Sequence, residues 1–283
     1  MNKNHYCLGV MQGRLLPKYR GRYQAHPVAC WQKEFGIAKA MNLACIEFIF
    51  DFDEWEKNPL ITDDGRKEIV SVSEVTGVAV KSICADYFME RPFHQSSERN
   101  VMENICMFER LIFAAREIGV RNIVLPCVDR SSLRECKDFT FFVEAALSLE
   151  RQAEAAEVNI ALETDLSPIE FAELLEKLDS SVFSVNYDTG NSASLGYDVE
   201  EEFAAYGGLI SDIHIKDRLR GGPSVLLGTG ATDFDKFFKC LSRYNYRGPL
   251  IMQAYRDNEG IGVFKKQLSW IKEKMAKIRN EDG

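Results

Sequence analysis

The chain has 283 residues, 46% of them hydrophobic and 28% charged, and a formal net charge of −8. This length suits two ordinary domains or one large α/β barrel of about 250 residues. The acidic balance argues against a nucleic-acid surface, and no run of roughly 18 apolar residues is available to cross a membrane. Eight cysteines are scattered without a CxxC pair, as in a reduced cytoplasmic protein. The opening MNKNHYCLGV also lacks the long apolar run of a signal peptide.

Tyr6 to Gln12 reads as a first strand, followed by a loop over residues 13–28 that holds Arg14, Lys18, Arg20 and Arg22 and no acid. In so acidic a chain this is either a solvated surface loop or an arm that meets an anionic group. Trp31 to Met41 has helical spacing, with Trp31 a core residue. Ala44 to Phe50 is a second strand enclosing Glu47, which is then an inward site residue or a member of a core ion pair. A helix follows over Asp63 to Thr76, capped by Thr62 and closed by Gly77. Val78 to Ala85 is a third strand, Ser97 to Ile118 a long helix ended by Gly119, and Asn122 to Cys127 a fourth strand. Phe139 to Glu157 reads as one helix, and Val158 to Glu163 as a fifth strand. Ser167-Pro168 opens the next helix as N-cap and first helical residue. Val182 to Tyr187 is a sixth strand, Val199 to Tyr206 a helix, and Leu209 to Arg218 contains a seventh strand. Asp233 to Tyr244 is a helix, Pro249 to Gln253 the eighth strand, and Gly262 to Ile278 the last helix. Eight strands alternating with helices, with no linker between them, predict a (β/α)8 TIM barrel formed as a single domain over residues 1–283. A doubly wound sheet is the competitor, but GVMQGRL after the first strand is not the GxGxxG of a dinucleotide site.

Active sites in such barrels lie at the C-terminal ends of the strands. In the fifth strand Asn159, Ala161 and Glu163 alternate with Val158, Ile160 and Leu162; in the sixth, Ser184, Asn186 and Asp188 alternate with Phe183, Val185 and Tyr187. In the seventh, Asp212, His214 and Lys216 alternate with Ile213 and Ile215. The polar phase is the inward one in each case. Glu163, Asp188, His214 and Gln253 therefore converge from four consecutive strands. As a ligand set they are rich in oxygen, with one nitrogen and no thiolate, which favours Mn2+ or Mg2+ and admits Co2+ or Zn2+; alternatively these groups hydrogen-bond one another in the core. Arg14, Lys216, Arg218 and Arg256 gather at the mouth, either as charge balance or to recognise a phosphate or carboxylate. The glycine-rich GGPSVLLGTGATDF after the seventh strand could offer backbone N–H groups to phosphate, although Asp233 could cap that helix itself. Trp55 and Phe88 either line a sugar-binding wall or simply pack.

ALE at 161–163, YDTGNS at 187–192, DIHIKDR at 212–218, GTGATDF at 228–234 and LIMQAYR at 250–256, with GVMQGRLLP and IEFIFD near the N-terminus, together resemble the xylose-isomerase-like TIM-barrel superfamily, in particular its sugar phosphate isomerase/epimerase group. The likeness covers essentially the whole chain and is more specific for fold and metal site than for substrate. It implies a divalent-metal-dependent isomerase or epimerase acting on a sugar or sugar phosphate through an enediolate. In it Glu163, Asp188, His214 and Gln253 hold the metal, Glu163 is the base and Lys216 the second catalytic residue. Gln12, Arg14, Glu47, Asp86, Asn191, Arg218 and Arg256 are expected to bind substrate, and Asp212 to support His214. A homodimer is expected by analogy.

Two positions depart from the family pattern. Gln253 stands where many epimerases have a glutamate, and Asn191 where many have a histidine. An amide oxygen can ligate but cannot carry a proton, so the usual pair of carboxylates on opposite faces of the substrate lacks its second member. Glu47, Asp86, Asp165 or His5 would have to supply it, or one base serves a single-face reaction. The alternatives are an inosose-dehydratase-like lyase on a keto-polyol and a ligand-binding barrel without catalysis. An endonuclease IV-type phosphodiesterase is poorly supplied by four histidines.

Overall fold

The computed structural model describes residues 6–94, 98–136, 139–179, 181–258 and 260–281. His5 and Ser97, both invoked above, lie outside the described residues. The elements in chain order are β1 (Cys7–Met11), α1 (Gln32–Ala40), β2 (Cys45–Ile49), α2 (Asp63–Thr76), β3 (Ala79–Cys84), α3 (Tyr87–Glu90), α4 (Glu98–Glu117), β4 (Asn122–Cys127), α5 (Thr140–Leu147), α6 (Glu150–Ala156) and β5 (Asn159–Thr164). Then follow α7 (Pro168–Leu175), β6 (Phe183–Asp188), α8 (Thr189–Leu195), α9 (Val199–Tyr206), β7 (Ile210–Ile215), α10 (Phe234–Arg243), β8 (Pro249–Met252) and α11 (Ile261–Glu281). The eight strands are parallel and close in sequence order, with β8 returning to β1. The fold is the expected TIM barrel.

Local chemistry sets the boundaries. Thr62 Oγ1 accepts the Gly65 N–H and caps α2, and Gly77 ends it at φ 73°, a conformation that costs a residue with a β-carbon. Ser167 and Glu170 form a reciprocal capping box at α7, with Pro168 at its first turn. The helix expected over Phe139 to Glu157 is two helices. Ser148 Oγ donates to the Ala145 carbonyl at 2.6 Å and the ladder breaks there, since a hydroxyl bonded to its own backbone competes with the helix. The stretch after β6, left unassigned by the sequence reading, forms α8, and Asp188 caps it.

The phases expected for β5, β6 and β7 hold. Ile160, Leu162, Val185, Tyr187, Ile213 and Ile215 join the core between strands and helices. Met11, Cys45, Ile49, Cys84, Val124, Ala161 and Ile251 fill the barrel interior. Asn159 Nδ2, together with Asn122, Ser184 and Ser211, makes a polar floor at the N-terminal end. Above this apolar plug and its polar floor, Glu163, Asp188 and His214 gather towards the C-terminal mouth.

Candidate active site

His214 is fully buried at the end of β7. Its Nε2 donates to Glu47 Oε1 at 2.7 Å, and Glu47 Oε2 accepts from Ser82 Oγ at 2.5 Å. This bond fixes the orientation of the ring, so Nδ1 faces Glu163 Oε2 at 3.3 Å and Asp188 Oδ2 at 4.0 Å. Burial opposes a charge on the ring, but Glu47 and Glu163 on either side outweigh it and hold the imidazole well above its ordinary pKa. One donor atom from each of Glu163, Asp188 and His214 lies within 4.8 Å of the others. At the end of β8, Gln253 Nε2 donates to Gln24 Oε1 at 2.7 Å, and Gln253 Oε1 is buried with no partner. An orphaned amide oxygen is costly unless something unseen satisfies it.

The neighbours of this group are ordered around it. Glu163 Oε1 accepts from Asn191 Nδ2 at 2.8 Å and Oε2 from Asn186 Nδ2 at 3.0 Å. Asp188 Oδ1 accepts the N–H groups of Gly190 and Asn191, which turns Oδ2 towards Lys216 Nζ at 3.5 Å. Lys216 and Arg218 both donate to Asn191 Oδ1, at 3.2 and 2.9 Å. Above lies a cavity of about 260 Å³, with Asp86, Glu163, Asn191, Lys216, Arg218 and Gln253 among its lining residues. Asp86 receives Gln24 Nε2 at 3.0 Å and the Cys84 thiol at 3.1 Å, and burial lifts its carboxyl to about 6 against those two bonds.

A family profile described as xylose isomerase-like TIM barrel matches residues 35–274. The chain belongs to that family. Among its relatives is the L-ribulose-5-phosphate 3-epimerase UlaE of Salmonella paratyphi A, 26% identical over 262 residues that span 88% of this chain and 91% of the relative. Among solved barrels of the same fold is the 3-keto-D-glucoside 4-epimerase YcjR of E. coli, with a TM-score of 0.73 at 17% identity over 95% of this chain and all of the other. Another is the IOLI protein with a bound zinc atom, at 0.73 and 15% over 96% of this chain and 97% of the other.

Several expected site residues stand elsewhere. Glu47, expected to bind substrate, is fully enclosed with its oxygens on His214 and Ser82. It is Glu47, and not Asp212, that supports the His214 ring; Asp212 Oδ1 accepts the Ile213 N–H instead. Gln12 is also fully enclosed, its oxygen shared by the Ile49 N–H and His26 Nδ1. The four cations divide into two pairs. Lys216 and Arg218 line the cavity, whereas Arg14 donates to the Ala254 carbonyl and Gln24, and Arg256 donates to the Arg14 carbonyl and lies over the Tyr23 ring at 4.5 Å.

The glycine-rich loop spends its glycine N–H groups at 228 and 230 on its own fold. Asp217 takes the N–H groups of Gly228, Gly230 and Thr232 at 2.9 to 3.1 Å, and Asp233 caps α10. The basic arm answers to its neighbour loop: Arg22 pairs with Asp51 and Asp53, and Arg20 with Glu54. Phe88 stacks on Phe93 in the core, and Trp55 packs edge-on against Tyr87. Gln24 was not singled out by sequence, because a polar residue in an irregular loop has no periodicity to mark it.

Proposed function

We propose that the protein is a divalent-metal-dependent sugar-phosphate epimerase that inverts a carbon next to a ketone, with a ketopentose 5-phosphate such as L-ribulose 5-phosphate as substrate. The observation that carries this is the donor set Glu163, Asp188 and His214 at the ends of consecutive strands, with the unpartnered oxygen of Gln253, a lining residue of the same cavity as Glu163, just past the next strand. Two carboxylates, one imidazole nitrogen turned inward by Glu47 and one amide oxygen fit a hard or borderline cation, Mn2+ or Mg2+ before Co2+ or Zn2+. Held there, such an ion supplies Lewis-acid polarisation of the substrate ketone. Names of relatives over most of the chain support the substrate class, and eight free thiols are in keeping with a cytoplasmic enzyme.

The chain's own residues divide the remaining work. Glu163 lines the cavity with each oxygen fixed by an asparagine, Asn191 and Asn186. An oriented carboxylate can take a carbon-bound proton without first reorganising. Lys216 and Arg218 meet on Asn191 and present two cations to one side of the cavity, where a phosphate or a polarised oxygen is held. Asn191 accepts from the cations and donates to Glu163, so it couples substrate anchoring to the orientation of the base.

The test is proton NMR in D2O with Mn2+-loaded protein and L-ribulose 5-phosphate. Loss of the C3 proton signal and appearance of the C3 epimer are expected, and both should stop with a chelator. Absence of both, in protein that retains bound metal, sinks the reading. Loss of one water from the substrate, seen by mass spectrometry, would instead favour the lyase.

A further inference from the structure

The epimerase reading leaves one proton transfer without a residue, since Gln253 cannot carry a proton. We propose that Asp86 is the second proton-transfer residue, a catalytic carboxyl moved from the end of β8 to the end of β3; this rests on that reading. In a closed barrel of eight strands in sequence order, β5 stands opposite β1. Gln24 belongs to the connection after β1, and it joins β8 to β3: Gln253 Nε2 donates to its oxygen, and its Nε2 donates to Asp86 Oδ2. The wall of the cavity facing Glu163 is thus a bridge, Gln253–Gln24–Asp86, with a single carboxyl at its β3 end.

The polarity of that bridge decides where the carboxyl can sit. Gln24 has one accepting and one donating end, and Arg14 also donates to its oxygen. A carboxylate at 253 would face that oxygen, acceptor against acceptor, whereas the carboxylate at 86 meets a donor. The other candidates fail on position. Both oxygens of Glu47 are taken and it is fully enclosed. Asp165 is turned to Ser132 Oγ. Asp129 lines the cavity but follows β4, adjacent to Glu163's own strand. Burial, reinforced by the charges of Asp51 and Glu163, lifts the Asp86 carboxyl to about 6, where both of its protonation states are populated near neutrality.

The step balances as follows. Glu163 takes the proton from C3, the C–H electron pair becomes the C2–C3 double bond, and the ketone π pair moves onto its oxygen. Protonated Asp86 then gives its proton to C3 from the other face, the double-bond pair forms the new C–H bond, and the ketone reforms. Glu163 ends protonated and Asp86 ionised, and exchange with water resets both.

The experiment uses full-length, Mn2+-loaded protein with L-ribulose 5-phosphate in D2O. For Asp86→Asn, epimer formation is expected to fall at least 100-fold, while deuterium still enters C3 of recovered substrate within tenfold of the parent rate through Glu163. Mn2+ affinity by titration calorimetry should stay at the parent value, and the variant should still melt in one cooperative transition. The inference is overturned if Asp86→Asn epimerises within threefold of the parent, or if exchange and epimerisation fall together in a folded, Mn2+-binding variant. A parent protein inert towards the substrate overturns the epimerase reading as well, which separates the two failures.

Discussion

Glu47 sits between Ser82 and His214 with no exposure. An imidazole whose outer nitrogen donates to a carboxylate is a better and better-aimed ligand through its inner nitrogen. Glu47→Gln keeps the shape and an acceptor but removes the charge, so divalent-metal affinity should fall by about 10-fold or more. Calorimetric titration of Mn2+ into metal-free protein checks this, and affinity equal to the parent's would show that the carboxylate does not tune the ring. The sequence left Glu47 as an inward site residue or a core ion-pair member. It could not say how deep, because depth depends on the stagger between strands, and the partner His214 lies 167 residues away. For the same reason Asp212, next but one to His214 along its own strand, looked the closer support. Phase is a local property of two-residue period; layer is a property of the closed barrel.

At the level of elements, the strands were legible throughout and most helix ends carried their caps in the sequence. Thr62, Gly77, Ser167 and Pro168 each do what their chemistry predicts. The failures are where a side chain bonds back to nearby backbone. Ser148 breaks one expected helix in two, and Asp188 starts a helix in a stretch that had no assignment. Asp217 is the largest such case, an acid in the outward phase just past β7 that gathers three N–H groups of the β7–α10 loop and is itself fully buried. Gly230 is required beside it, since a β-carbon there would collide with Asp217 Oδ1 and the Arg218 carbonyl. Asp217→Ala leaves those donors unmatched, at a cost of about 3 kcal/mol, or roughly 6–12 °C in melting temperature for a chain of this size. Tryptic cleavage after the exposed Arg220 should accelerate, and kcat should drop because Lys216 and Arg218 flank the released residue. A variant with parent melting and cleavage rates would show that the loop is held by other means.

Across the whole molecule, the sign reversal of the β1–α1 arm is resolved by pairing with the acidic loop after β2. Pairs whose arginines are this exposed contribute little stability, and the arm is fixed from beneath instead. Glu34, fully buried on α1, accepts the N–H groups of Gly13 and Leu15 at 2.8 and 2.9 Å. Burial raises its carboxyl to about 7, despite those two bonds and the nearby Arg256 and Arg14. The native protein therefore keeps a proton that the unfolded chain releases above its ordinary value of 4.5. Stability from this group is present in full below that value and is lost as pH rises to about 7, after which the loss is complete. Between pH 5 and 8 the change amounts to about 2–3 kcal/mol. Asp86, raised to about 6, adds to the same decline, while His26, which burial lowers to about 3, removes stability on the acid side as pH falls below its ordinary 6.5. With a chelator present, melting temperature should therefore be higher near pH 5.5 than at pH 8. Glu34→Gln should melt lower than the parent at pH 5.5, because an amide cannot accept both N–H groups as the carboxyl does. Its decline from pH 5.5 to pH 8 should be shallower by about 2 kcal/mol, or roughly 4–8 °C. Equal declines in parent and variant would place the titrating group elsewhere. The result would also bear on the site, because the residues that Glu34 holds flank Arg14, which reaches the cavity wall through Gln24.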